Sequence, residues 1–261
     1  MVFVKSFPAR CFILLLLPFA ARAQAPATEA TLLGAGARSR PAYDGSASQV
    51  LEAVPVVRYY GPFLFVRDTR GPLEGGIHFE FLHGLNAGVQ VAYEHGRSTS
   101  ESDLLREHDL PDVPAGCSYG GQLEWNTMVG PSPIDVILRA RQNLKADQGA
   151  QADLRLTAGV FQAGPFAAAV VGQATWANAK SNQAIYGITA QEAVTSGLPA
   201  FQPGGGMLTD MLGLLWSFDL AKHWLLLGNL QGMRLHGDAA RSPLTERRVN
   251  SSAVVGVACR F

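Results

Sequence analysis

From residue 31 onward, apolar and polar side chains alternate in segments of about 6 to 14 residues, the period of two that sends successive side chains to opposite faces of a strand. Residues 134–144 show it best. Ile134, Val136, Leu138, Ala140 and Leu144 share one face, broken only by Gln142, while Asp135, Ile137, Arg139, Arg141 and Asn143 share the other. Residues 150–160 repeat the pattern, with Ala150, Ala152, Leu154, Leu156, Ala158 and Val160 opposed to Gln151, Asp153, Arg155, Thr157 and Gly159. In residues 117–129, Cys117, Tyr119, Leu123, Trp125 and Val129 oppose Ser118, Gln122, Glu124 and Asn126. On a helix these sets would scatter around the circumference.

Taken in order, the alternating runs predict twelve strands, near 31–39, 49–60, 62–67, 76–82, 86–97, 116–129, 133–144, 150–163, 166–178, 208–219, 223–235 and 250–261. Short turns containing Gly, Pro or Asn fall at 61–62, 83–86, 130–133 and 164–165, with another at 220–222. Mostly longer loops lie between them, at 40–48, 68–75, 98–115, 145–149, 179–207 and 236–249. An even strand count with short turns at one end and long loops at the other predicts an all-β, transmembrane, antiparallel up-and-down barrel over residues 31–261. The weakest pair is 62–67 and 76–82; if these form one bent strand, the count changes.

Composition changes the picture by exclusion. The 261 residues are 48% hydrophobic and 16% charged, with 21 basic and 21 acidic side chains. Zero net charge leaves no electrostatic footprint for nucleic acid, and the apolar content excludes disorder. A mean hydropathy of +0.10 would suit a helical membrane protein. Beyond the first 25 residues, however, no apolar run approaches the roughly 18 residues that a spanning helix needs. Residues 1–23 read as a secretory signal peptide, with Lys5 and Arg10 before the apolar Cys11–Phe19 and a cleavage site at Ala21-Arg22-Ala23. Residues 24–30 then form a flexible lead-in to the barrel.

Cost decides which face meets lipid. Arg or Lys facing hydrocarbon near the midplane costs about 2–4 kcal/mol, so the uncharged face points outward and the charged face inward. Tyr59, Tyr93, Trp125, Trp176, Trp216 and Trp224, near strand ends, are expected in interfacial girdles. In the last strand Ala253, Val255, Val257, Cys259 and Phe261 share the outer face. A closing aromatic such as Phe261 resembles the signal by which the barrel assembly machinery recognises outer-membrane barrels. Cys117 and Cys259 fall near opposite ends of their strands, too far apart for a disulfide, and two free thiols are expected.

The inner face collects Arg38, Arg58, Arg139, Arg141, Arg155 and Arg260 against Glu52, Glu80, Glu94, Glu124, Asp135, Asp153 and Asp219. If the turn at 130–133 pairs residue 129 with 134, Glu124 lies opposite Arg139. If the loop at 145–149 pairs 144 with 150, Arg141 faces Asp153 and Arg139 faces Arg155. Glu124, Arg139, Arg141, Asp153 and Arg155 are therefore a candidate lumen charge network, either a solute-selecting constriction or an ionic plug that fills a small barrel.

Three stretches resemble the MltA-interacting protein (MipA/OmpV) family of outer-membrane proteins: Gly34–Ser46 (GAGARSRPAYDGS), Tyr186–Phe201 (YGITAQEAVTSGLPAF) and Gly237–Leu244 (GDAARSPL). They run from near the start of the barrel region to near its end. The resemblance implies an outer-membrane scaffold linking a murein transglycosylase to a murein synthase; other members are described as porin- or adhesin-like. It carries over no catalytic, cofactor or metal residues.

Motifs for chemistry are missing from the sequence. No Gly-x-Ser-x-Gly elbow, His-Glu-x-x-His, paired-Cys metal motif or phosphate loop occurs. His78, His83, His95, His108, His223 and His236 are dispersed, and Gly204–Gly206 reads as a loop hinge. Asn250-Ser251-Ser252 matches a glycosylation sequon by chance. The expected function is a non-enzymatic envelope scaffold without cofactors, presenting short turns such as Lys222-His223 to periplasmic partners. The alternatives are a small-solute channel and an adhesin or ligand-binding surface on the loop 179–207.

Overall fold

The computed structural model describes residues 30–68 and 73–261. The expected signal peptide and all of the expected flexible lead-in except residue 30 lie outside the described residues. Twelve antiparallel strands close into one barrel: β1 (Leu32–Pro41), β2 (Gln49–Tyr60), β3 (Leu64–Asp68), β4 (Leu73–Leu82), β5 (Leu85–Glu94), β6 (Gly116–Val129), β7 (Ser132–Asn143), β8 (Ala150–Ala163), β9 (Phe166–Ala177), β10 (Gly206–Ala221), β11 (Trp224–Leu235) and β12 (Val249–Arg260). β1 closes the ring against β12, from Leu32 opposite Arg260 to Ser39 opposite Ala253. The Phe261 N–H extends this ladder by donating to the Thr31 carbonyl at 3.0 Å. Closure leaves no sheet edge in hydrocarbon, where an unpaired backbone group has no partner.

β3 and β4 are two strands paired as a hairpin, Leu64 opposite Ile77 and Asp68 opposite Leu73. β4 begins at Leu73, three residues earlier than the alternation indicates. Gly75 and Gly76 explain the difference, because neither supplies a side chain to mark a face. A Cβ on Gly76 would lie 2.0 Å from the Val89 carbonyl oxygen, so the close approach of β5 requires glycine there.

The two rims differ in construction. One carries short turns at 61–63, 83–84, 130–131, 164–165 and 222–223, with Gly84, Gly130 and Gly164 in the left-handed region. By the outer-membrane convention this rim is periplasmic. The other carries the long loops, whose described residues hold three short α-helices that strand periodicity does not reveal: α1 (Asp103–Glu107), α2 (Ala179–Tyr186) and α3 (Ala190–Ser196). Local chemistry starts them. Asn178 caps α2 by accepting from the Ser181 N–H, and Thr189 with Glu192 forms a capping box on α3.

Outward-facing side chains form an apolar belt, with Leu51, Leu123, Leu138, Leu154, Leu212 and Leu230 all exposed. Tyr59, Trp125 and Trp224 ring the periplasmic side of this belt, and Tyr93, Tyr119 and Trp176 ring the other. Trp216 is more buried than these, because its ring lies over Gly228, where an added Cβ would meet it at 2.5 Å. Cys117 on β6 and Cys259 on β12 are free thiols. Among the described residues no helix is long and apolar enough to cross a membrane, so the crossing elements are the strands.

Candidate functional site: a capped lumen with an ionic ladder

The inner face of β3–β8 carries a continuous run of ion pairs. Glu124 accepts from Arg67 Nη1 at 2.9 Å, Arg67 Nε reaches Glu74 at 2.6 Å, and Glu74 accepts from Arg139 Nη1 at 2.9 Å. Arg139 Nη2 in turn contacts Asp153 at 2.7 Å. Arg141 then joins Asp153, at 3.5 Å, to Glu94, at 2.7 Å. Arg139, Glu74 and Asp153 are only 4%, 3% and 0% exposed at their side chains, so each charge depends on its neighbours for compensation.

The expected cross-strand pairs are displaced by two residues at both junctions. The tight turn Gly130-Pro131 pairs Val129 with Ser132, which puts Gln122 opposite Arg139 and Ile137 opposite Glu124. Between β7 and β8, Gln142 pairs with Ala150, because the connection consumes Asn143 to Gly149 and closes with the Asn143 N–H on the Gly149 carbonyl. Arg139 therefore faces Asp153, not Arg155, and Arg155 faces Ile137. This register avoids the unfavourable juxtaposition of two arginines.

Of the five residues expected to form the network, Arg139, Arg141 and Asp153 meet directly. Glu124 joins them only through Arg67 and Glu74, and Arg155 lies nearer the periplasm, lining the cavity. Sequence reasoning missed Arg67 and Glu74, the bridging members. Glu74 fell in a predicted loop, and Arg67 sat at the end of the least certain strand.

Below the ladder the lumen is a cavity of about 2230 Å³. It reaches the periplasmic turns at Pro62, Gly84, Pro131 and Gly164, and rises to Arg38, Arg40 and His95. One wall is polar, with Tyr60, His78, Asp135 and Arg155; the other is apolar, with Val54, Val56, Leu215, Leu225 and Leu227. Tyr60 packs against His78 with ring centroids 4.3 Å apart and planes tilted by 43°, and the Arg67 guanidinium lies 4.9 Å from the Phe65 ring centroid.

The other end is capped. Leu105, Ile188 and Leu244, all at 0% exposure, pack with Ala42, Tyr43 and Leu110 into a core contributed by four different loops. Tyr43 Oη donates to the Leu244 carbonyl at 2.7 Å, and its acidity is weakened, to a pKa of about 12, by burial and then by the Glu246 charge. Ser242 Oγ donates to the Tyr186 carbonyl at 2.7 Å. Asn250, the chance sequon residue, is buried and clamps the first loop, accepting from the Gly45 N–H and donating to the Ser46 carbonyl, both at 2.8 Å.

A polar latch ties this lid to the wall. Arg40 bridges Glu52, at 3.0 Å, and Glu101 of the loop after β5, at 3.1 Å. Arg38 pairs with Glu52 and donates to His95 Nε2 at 2.7 Å. Burial first, and then the Arg38 and Arg40 charges, hold the His95 pKa below its ordinary value, consistent with a neutral ring that accepts from Arg38. Among the described residues no group of three or more His, Cys, Asp or Glu is placed to hold a metal ion.

A family model described as MltA-interacting protein MipA matches residues 33–261. The chain belongs to the MipA family. The stretches that carry the MipA resemblance meet in the lid: Tyr43 from the first, Ile188 and Phe201 from the second, and Leu244 from the third. No curated protein matches the chain. Among solved structures it is similar to an outer membrane channel from Pseudomonas putida F1, with a TM-score of 0.52 and 11% identity over 94% of this chain and 100% of that one. It is also similar to the NanC porin, with a TM-score of 0.50 and 8% identity over 88% of this chain and 100% of that one. At these identities the likeness concerns the fold. This MipA family member is an outer-membrane β-barrel protein.

Proposed function

We propose that this barrel is a non-enzymatic envelope scaffold that holds murein-remodelling proteins, a transglycosylase and a synthase, at its periplasmic rim. The observation that carries the reading is the asymmetry of the lumen, packed shut on the outside and open toward the periplasm. A barrel whose work lies on the inner side has no need of an open outer mouth. Ion pairing within the ladder also leaves little single-sign field to steer solutes. The family description, which names an interaction with MltA, supports a partner-holding role.

The test is crosslinking from probes placed at Pro131, Gly164 and Lys222, followed by mass spectrometry of captured envelope proteins. Capture of murein enzymes from these positions, and not from the loop 178–205, is the expected result. Capture of none from any periplasmic turn overturns the scaffold. A small-solute channel is the second reading, favoured by the cavity's reach to the underside of the lid at Arg38, Arg40 and His95. Steady conductance in planar bilayers, with selectivity that changes on Arg155→Gln, would replace the scaffold with that channel.

A further inference from the structure

The apolar belt carries a recess at the loop rim of β6–β9. Across β6–β9 the outward row next to the rim reads Tyr119, Gln142 and Ala150, and the row below it reads Gly121, Ala140, Ala152 and Trp176. The next row, Leu123, Leu138 and Leu154, projects outward and is exposed. Ala140, Ala150 and Ala152 thus floor a notch of about 540 Å³ that is walled by Tyr119 and Trp176, with the leucine row beneath it. Its span of four strands is roughly 14 Å, wider than one hydrocarbon chain. The notch is continuous with the surface that already faces lipid, and it opens at the level of the outer leaflet.

The chemistry above the notch differs from that within it. Asn178 and Gln142 form a polar upper edge. The two loops behind that edge are stitched together, with the Ala150 N–H donating to Asn178 Oδ1 at 3.1 Å and the Asn178 N–H to the Ala150 carbonyl at 3.0 Å. Each loop carries an exposed lysine, Lys145 two residues after β7 and Lys180 three residues after β9. Among the described residues Lys222 is the only other lysine, and it lies on the opposite rim. Neither Lys145 nor Lys180 makes an ion pair with a described residue, and the one acid on the same turn, Asp147, offsets only one of the two charges.

We propose that this notch binds a phosphate-bearing, multiply acylated glycolipid of the outer leaflet. Acyl chains lie between Tyr119 and Trp176 over Ala140 and Ala152, and the phosphate lies against Lys145 and Lys180. The apolar pocket without the lysines would take any lipid chain. The lysines without the pocket would attract any anion. Their stacking in the order of the leaflet, chains below and charge above, selects one amphiphile with both parts.

The test uses the full barrel refolded in detergent and three probes: diphosphorylated lipid A, its dephosphorylated counterpart and phosphatidylethanolamine. Native mass spectrometry reads retained lipid, and heat-modifiable gel mobility confirms folding. Wild type should retain the diphosphorylated probe roughly tenfold better than the other two. Lys145→Glu with Lys180→Glu, both exposed side chains, should abolish that preference and leave retention of the dephosphorylated probe unchanged. Ala152→Phe, which fills the notch, should lose both. The proposal is overturned if the double lysine variant keeps the preference for phosphate, or if folded Ala152→Phe retains lipid like wild type.

Discussion

The two rims of this barrel solve the same closure problem with opposite materials. The periplasmic rim uses turns of two or three residues, several made possible by glycines at positive φ, and leaves the lumen open. The outer rim spends far more chain, buries Leu105, Ile188 and Leu244 in a core of its own, and seals the lumen. A turn too short to hold a side-chain core can only join strands. A loop of 28 residues such as 178–205 can fold, and so it can act as a lid. The lid is thus a small globular layer set on a membrane scaffold, and each part should fail separately.

The largest effect is expected in the wall. Arg139→Leu leaves Glu74 and Asp153 buried without their shared cation and should cost about 3–5 kcal/mol, read as a lower temperature for loss of heat-modifiable mobility. If instead the barrel is unaffected while the lid is cut by protease, the separation of wall and lid is wrong. Next comes the lid core. Ile188→Ala should cost about 2–4 kcal/mol locally, exposing residues 95–115 to proteolysis while the barrel keeps its gel mobility. A smaller effect is expected at the latch, where Glu101→Gln removes a half-exposed partner of Arg40, worth at most about 1 kcal/mol. Faster hydrogen exchange at the Arg97 and Val113 amides, which bond each other's carbonyls at 2.8 Å, would report it.

Acid should act most gently at the latch. The folded His95 pKa lies below its unfolded value of about 6.5, so the unfolded loop binds the proton more readily than the latched one. Its contribution is therefore present above pH 6.5 and is lost as pH falls toward the folded value. Protection factors in residues 95–115, corrected for the intrinsic pH dependence of exchange, should fall between pH 7.5 and 5.5, and His95→Gln should remove that fall. An unchanged pH response in His95→Gln would assign the effect to another group.

Much of the wall was legible because lipid imposes a binary rule on every strand. Arg139, Arg141 and Asp153 could be assigned to the inner face from parity alone. Their partners could not, since a shift of two residues preserves parity and changes every neighbour. The turn at Gly130-Pro131 and the folding of residues 143–149 set that shift. Glu74 was hidden by the glycines that follow it, and α1, α2 and α3 by their brevity. The family resemblance pointed to the lid stretches, but not to their meeting in one core.

The sequence by itself determined that this is a barrel of about twelve strands, which side chains face lipid, and that the charged set turns inward; the structure showed that β3 and β4 are two strands. Those properties follow from local periodicity and from the cost of placing polar groups in hydrocarbon, which acts on each residue separately. Only the tertiary structure decided that Arg139 pairs with Glu74 and Asp153, and that four distant loops close one end while the other stays open. It also placed two lysines above a notch in the lipid face. These depend on register and on contacts across more than a hundred residues, where no local pattern carries the information.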